Sequence, residues 1–535
     1  MFCKKIFSVL PVALLCFTCS GCGNEASYTA TYEIDSLPKN IDPQLASSES
    51  ELLIVRNIFE GLMRVDKDGN VVTGAAESYE ISEDSKCYTF HLRQSLEWSN
   101  GTALTASDFV FALQRASDPQ TMSPYTDLIT PISGAQQSLN GKINCTAIGV
   151  TAIDAYTLQI KLNTKCDTFL ASLTNAVYMP CNKAFFNKCG GKYGLDRNNI
   201  ISNGSFELTT WKADSAIKLS KSESYHGEFS ALPAAVYLTI KDDKDTTTRA
   251  ERLNKNDINM AKVDFSTLDA INETTINLCK FKNTTYALVF NKESTVGKIK
   301  DLTIAFNQAI DLEKVGNSLP DIFSASNGLI PPDLSINGIT AKELDKTVSR
   351  LYGHSPETAR ELFLRSLKSI PNKTLPNFSV LCVDDSYIKS TLTQIISGWQ
   401  QVLGAYVNIE TVSSMEAFIK ALKSGNYTAA FVPLSSSNGN VTTFLKQFTS
   451  DSVQNYYNFS DKNYDSIVTE ISTCSDITQL SQLINNAENL LLNDTFIIPV
   501  FSSPTAFAYS STFSDVSFFP FGGSIDFAYI SLTKK

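Results

Sequence analysis

The sequence predicts an α/β chain of more than one domain, and three observations carry that expectation. A chain of 535 residues, 43% hydrophobic and 19% charged, can bury large cores, and at ~100–200 residues per domain it divides into two or three. In residues 88–94 the apolar Tyr88, Phe90 and Leu92 alternate with Thr89, His91 and Arg93, the period of a half-buried strand that leaves His91 on the solvated face. Further on, Ile388, Leu392, Ile395, Trp399 and Val402 mark one helical face, which Gly404 closes before a strand over 405–412. Ser413 and Glu416 then box a second helix carrying Phe418, Ala421 and Leu422, ended by Gly425 before a strand over 427–434. Strand, helix and strand in this order make a parallel crossover unit. Ligands in such sheets gather at the carboxyl ends of the strands, which in this chain is the run from Ser435 to Gly439.

The chain opens on a targeting segment. Lys4 and Lys5 precede an apolar stretch over 6–17, within the ~7–15 residues of a signal-peptide core and short of the ~20 needed to span a bilayer. A cleaved signal is therefore expected, followed by a polar tether over 23–27 and a strand pattern over 28–34. Residues 65–72 read as a hairpin, because Asp68-Gly69 favours a two-residue turn. Asp66, Asp68 and Asn70 also raise a calcium loop, but the downstream glutamate that such a loop needs is missing. Thr105 and Asp108 form a capping pattern ahead of Phe109, Ala112, Leu113 and Ala116 at helical spacing. The middle of the chain mixes strand patterns over 156–162, 216–219 and 235–240 with Gly, Asn and Asp loops. Trp98, Trp211 and Trp399 read as core residues, and His354, ahead of Ser355-Pro356, as a helix-entry residue.

Composition excludes several function classes. The net charge of −10 moves to −12 once Lys4 and Lys5 leave with the signal, and an acidic chain without a basic cluster is a poor nucleic-acid binder. Eight cysteines follow Cys22, at 87, 145, 166, 181, 189, 279, 382 and 474; they permit disulfides or act as free, buried thiols, and spacing does not decide between the two. The only histidines, His91, His226 and His354, stand in no metal-ligand pattern. There is no nucleophile elbow, P-loop or dinucleotide fingerprint, and the C-x-x-C of Cys19 and Cys22 lies at the signal cleavage point. No cofactor or metal is expected, and binding is better supported than catalysis.

Several segments together resemble the extracytoplasmic solute-binding proteins of peptide ABC transporters, the oligopeptide- and dipeptide-binding family. Ile41, Asp42 and Pro43, then residues 57–62 (NIFEGL) and Asp68-Gly69, match its Leu-Asp-Pro, Phe-Glu-Gly-Leu and Asp-Gly turn at like spacing. Residues 76–81 (AESYEI), 88–93 (YTFHLR), 98–102 (WSNGT) and 104–109 (LTASDF) are close to the family signature. Further matches at 203–208 with Trp211, at Phe290-Asn291 with 305–311, and at Ile498-Pro499 keep family order. Separately, Ser20, Gly21 and Cys22 resemble the lipobox of bacterial lipoproteins, in which the cysteine is lipidated and becomes the new N-terminus. Cys19 departs from the usual Leu, and ordinary cleavage without lipid is the alternative.

The resemblance implies a two-lobed periplasmic-binding-protein clamp of class C, type II topology, with an extra α/β domain. Residues 1–22 would be the lipoprotein signal; 23–59, 177–285 and 501–535 a discontinuous first lobe; 60–176 the inserted extra domain; and 286–500 the second lobe. It also implies an exported, periplasmic monomer, anchored to a bacterial membrane through Cys22, that passes a peptide to permease and ATPase subunits. Hinge closure turns binding into a shape change that a permease can read. No bond is made or broken.

In peptide-binding relatives the ligand lies between the lobes as an added strand. Carried over, Ala46, Ser47, Ser48 and Glu49 are the first-lobe edge, and Phe431, Val432, Pro433, Leu434 and Ser435 the facing strand, with Pro433 supplying no N–H. Relatives also carry an aspartate that pairs with the ligand's α-ammonium; Ser437 takes its place, Asn438 follows, and Asn440 replaces another acid. A charge-assisted hydrogen bond contributes ~1.5–3 kcal/mol against ~0.5–1.5 for a neutral one, so a plain peptide is held more weakly at that point. No arginine follows Arg365, which leaves Lys446 or a first-lobe arginine for the ligand's carboxylate. Two readings stay open: a specialised ligand, such as a modified, branched, cell-wall or small thiol peptide, or compensation by a nearby carboxylate such as Glu49. The rivals are a nickel or haem binder, with scarce histidine against nickel; a structural or surface lipoprotein that kept the fold; and an enzyme, for which no constellation exists.

Overall fold

Two long antiparallel strands, Ile276–Phe290 and Ile497–Ser510, pair from Ile276 opposite Ser510 to Val289 opposite Ile497. At ~3.3 Å per residue the first, 15 residues long, spans roughly 50 Å, enough for one ladder to serve two lobes. The computed structural model describes residues 27–534 except 167, 213–215, 242–245, 264–267, 269, 320–322, 327, 337–338, 345–351, 437–438, 473, 475 and 521–522. Cys22 and the signal segment lie outside the described residues.

The large sheet grows outward from opposite ends of this ladder. At one end Met260–Val263 pairs with residues 506–509, followed by the parallel strands Thr29–Glu33 and Ala235–Thr239, then by Ala216–Lys221 and Phe206–Lys212. At the other, Ala429–Leu434 pairs with residues 285–290, followed by the parallel strands Ser379–Val383 and Asn408–Val412. A separate antiparallel sheet, in the order Ala76–Ile81, Cys87–Leu92, Thr157–Lys161, Val150–Ala152, forms the extra domain's sheet. The fold is the two-lobed α/β clamp with an added α/β domain.

Periodicity explains the second lobe's core. Ala287 and Val289 join Leu381, Ala430 and Val432 on one face of the sheet, while Leu288 and Phe290 join Val380, Cys382 and Phe431 on the other. Both faces are apolar because helices cover both. Ser386–Leu403 buries Ile388, Leu392, Ile395 and Trp399 on one side, and Met415–Ser424 buries Phe418 and Leu422 on the other. Gly404 and Gly425 end these helices at φ +71° and +67°, the left-handed stop that glycine adopts without a Cβ clash.

Local details differ from expectation in two places. Ser414, not Ser413, caps the helix Met415–Ser424, its hydroxyl accepting from Ala417 N–H at 3.2 Å; Glu416 then falls one residue short of the capping-box position. The turn joining Met63–Val65 to Val71–Thr73 is longer than two residues, closed by Asp66 N–H donating to Asn70 O at 2.9 Å with Gly69 at φ +88°. The Asp66 carboxylate takes the N–H groups of Asp68 and Asn70, which accounts for the acidic cluster by turn chemistry. Trp98 and Trp399 are buried, Trp211 is half-buried, and the eight cysteines after Cys22 are free thiols. Among the described residues no helix is long and apolar enough to cross a membrane.

A buried ion pair joins the extra domain to the first lobe. Arg115, in the helix Ala106–Ser117, holds both oxygens of Asp42 at 3.2 and 2.5 Å and Gln44 Oε1 at 2.7 Å, with its guanidinium 4.0 Å over the Phe186 ring. Gln44 Nε2 in turn donates to the carbonyls of Val177 and Met179. Removing one partner of a buried pair strands the other charge. Arg115→Met should therefore lower the stability of this joint by about 3 kcal/mol, read as an earlier urea transition by fluorescence; an unchanged midpoint would show that Asp42 needs no cation.

Candidate ligand-binding site

The first-lobe wall is residues 40–51, where a loop enters the helix Glu49–Ile58. Ser48 caps that helix, and Glu51 completes the capping box. Glu51 gathers four donors: the N–H groups of Lys39 and Asn40 on Oε1 and of Ser47 and Ser48 on Oε2, each at 3.0 Å. Burial pushes its carboxyl up, but the N–H groups of Ser47, Ser48, Lys39 and Asn40 outweigh it and hold the group below the usual glutamate value. Ala46 N–H donates to Asp42 O at 2.8 Å, and Ala46 O accepts from the Tyr125 hydroxyl.

The donors of Ala46, Ser47 and Ser48 are thus all used inside the fold. This segment does not offer the row of free N–H groups that a sheet edge has. Ala46 is buried and Ser48 half-buried, while Ser47 and Glu49 are exposed, and Glu49 Oε2 meets Lys262 Nζ at 2.8 Å. Beside it, at the carboxyl end of Thr29–Glu33, Glu33 is bound by Arg249 at 2.6 Å and by Arg252, and Asp35 by Arg249 at 2.7 Å. Each carboxylate of this wall already has a cation.

The second-lobe wall is different. In Ala429–Leu434 only Ala429 and Ala430 have partners on the Ser379–Val383 side, so from Phe431 to Leu434 no described strand pairs that edge. The opposite edge pairs Val432 with Ala287, Pro433 with Tyr286 and Leu434 with Thr285. Val432 and Leu434 are buried and Pro433 is half-buried; proline is tolerated in a strand where its missing N–H faces a free edge. Ser435 Oγ donates to Asn283 O at 2.7 Å, and Ser436 Oγ to Asn440 O at 2.9 Å. Asn440 caps the helix Val441–Lys446, its Oδ1 accepting from Thr442 and Thr443 N–H at 2.7 and 3.3 Å, a task asparagine does as well as an acid. Ser437 and Asn438 lie outside the described residues.

Three residues that sequence reading passes over organise this region. Asn283 sits at the register shift between Phe281 and Thr284. Its Oδ1 accepts from Thr505 Oγ1 at 2.9 Å, its Nδ2 donates to Pro520 O at 3.2 Å, and its carbonyl receives Ser435, so the crossing ladder is tied to the rim of the second wall. Glu51 carried a signal, the S-x-x-E spacing from Ser48. Arg115 carried none, because its partner Asp42 is 73 residues away. Among the described residues no group of three or more His, Cys, Asp or Glu stands together to hold a metal. Hydrogen-bonding groups and a free sheet edge make an arrangement for holding an extended chain.

A family model described as bacterial extracellular solute-binding proteins, family 5 middle, matches residues 70–456. The chain is 28% identical over 476 residues to the periplasmic oligopeptide-binding protein OppA of Escherichia coli K12, over 86% of this chain and 85% of that one. It is 25% identical over 480 residues to the probable deoxycholate-binding periplasmic protein YgiS of the same organism, over 88% of each. Listeria monocytogenes OppA bound to peptide superposes with a TM-score of 0.78 at 23% identity, over 95% of this chain and 100% of that one.

The lowered Glu51 value fixes the sign of a pH effect. A carboxylate held below its ordinary value of 4.5 stabilises the fold above that pH, and the contribution is lost as pH falls through the folded value. Glu51→Gln should cost about 1–3 kcal/mol at pH 7, and the gap to the parent should narrow in thermal melts below pH 4.5. A constant gap down to pH 3 would count against charge as the source.

Proposed function

The chain belongs to the bacterial extracellular solute-binding proteins of family 5, and from that premise we propose that it is the substrate-binding lipoprotein of a peptide ABC importer. It captures oligopeptides, or one specialised small peptide, between its lobes and delivers them to permease and ATPase subunits. The observation that carries this reading is the unpaired edge from Phe431 to Leu434, facing the cleft side of a sheet that is otherwise paired. Main-chain hydrogen bonds to such an edge give affinity that tolerates many side chains. Relatives named for oligopeptide binding support it.

In this reading the first lobe comprises 23–59, 177–285 and 501–535, the extra domain 60–176 and the second lobe 286–500, and Cys22 carries the lipid that tethers a monomer at the membrane. Ala46, Ser47, Ser48 and Glu49 contribute side chains and shape, while Val432, Pro433, Leu434 and Ser435 contribute the edge and its rim, with Ser437 and Asn438 beyond it. Glu49 meets a ligand ammonium by exchanging Lys262 for it. That pair is half-exposed, and such pairs contribute ~0–1 kcal/mol, so the exchange costs little.

Thermal melts of the soluble form starting at Gly23, with di- to pentapeptides and with deoxycholate, test the reading. A peptide at 100 times its Kd should add about 2.7 kcal/mol and be recovered uncleaved. Stabilisation by deoxycholate alone, or cleavage of the peptides, would overturn the assignment. Ser437→Asp should raise free-peptide affinity by tenfold or so; equal affinities across a tripeptide set would remove Ser437 from the site.

A further inference from the structure

A second cleft, of about 210 Å³, lies between the extra domain and the second lobe. Thr130, Asn163 and Lys165 line it from one side, and Thr442, Thr443 and Lys446 from the other. Asn440 also lines it and ends the segment that leads out of Ala429–Leu434, so this cleft adjoins the peptide edge. A water molecule needs ~10–15 Å³ of such space, and the volume therefore admits a group of side-chain size.

Its charge runs against that of the protein. In a chain of net charge −10, the lining holds two lysines and no aspartate or glutamate, with hydroxyl and amide groups around them. Lys446 is half-buried and has no ion-pair partner among the described residues. Closing the clamp brings the two walls together, and with them two ammonium groups that repel. An anion between them offsets that repulsion and favours the closed form. Such an anion need not be large, but it must carry oxygen acceptors for the surrounding hydroxyl donors.

We propose that this cleft is the carboxylate subsite of the ligand. Lys446 from the second lobe receives the C-terminal carboxylate, with Lys165 on the facing wall, in a lobe that has no arginine after Arg365. The assignment rests on the reading of the chain as a peptide receptor. It adds a preference that the sheet edge cannot supply, because main-chain bonding treats an acid and its amide alike.

The test is calorimetric binding of di- to pentapeptides, each as free acid and as C-terminal amide, to the parent, Lys446→Met and Lys446→Arg. The parent should bind the acid at least about tenfold tighter than the amide at one length or more. Lys446→Met should lose that preference by weakening the acid alone, and Lys446→Arg should keep it. Equal binding of acid and amide by the parent, or a preference that Lys446→Met leaves intact, overturns the subsite while peptide binding stands. Should no peptide bind, the receptor reading fails and a peptide-free probe decides the subsite: glutarate at constant ionic strength. Saturable thermal stabilisation by glutarate in the parent, absent in Lys446→Met, supports an anion site; identical responses overturn it.

Discussion

Everything in this molecule hangs on the ladder between Ile276–Phe290 and Ile497–Ser510. First-lobe strands attach at one end of it and second-lobe strands at the other, so the two lobes share backbone hydrogen bonds. The ladder is irregular in its middle, with register shifts between Phe281 and Thr284 and between Tyr286 and Ala287. Such irregularities bend and twist a strand locally, which gives the lobes a place to rotate without breaking the pairing at either end. Asn283 stands at the first shift and binds the rim of the second wall through Ser435, so a change at the hinge is felt where the ligand enters.

The two walls divide the work unevenly. On the first, Glu51 and the helix cap consume the backbone donors, and Arg115 locks Asp42 and Gln44 to the extra domain. That wall is rigid and internally satisfied, and it supplies shape. The second keeps a strand edge without a partner, where backbone bonding to an extended chain is available. First lobe and extra domain therefore move as one body, and closure is the approach of the second lobe to that body.

The parts legible in the sequence are those governed by short-range periodicity. Alternation around Phe90 and the 3.6-residue face from Ile388 to Trp399 appear in the structure as a strand and a helix, with the apolar residues inside. The helix stops at Gly404 and Gly425 were readable because left-handed backbone favours glycine. The miss at Ser413 has a local cause, since two adjacent serines compete for one cap and only tertiary context chooses. The first wall was misjudged for a different reason. Whether an N–H is free depends on where a carboxylate three or twelve residues away folds back, as Glu51 does to Ser48 and Lys39, and extended sequence does not announce this.

The termini of the chain meet. Tyr28 donates its hydroxyl to Ile530 O across 502 positions, Tyr32 meets Ser524 across 492, and Asn57 bonds the backbone at Ile525 and Phe527. The first lobe therefore lacks part of its core until the last residues leave the ribosome, and contacts of such sequence separation form slowly. For a member of an extracellular family this order has a use in biogenesis. A translocation channel accepts an unfolded chain, and a chain whose earliest strand waits for its final segment stays threadable during synthesis and closes into a finished lobe only on the far side.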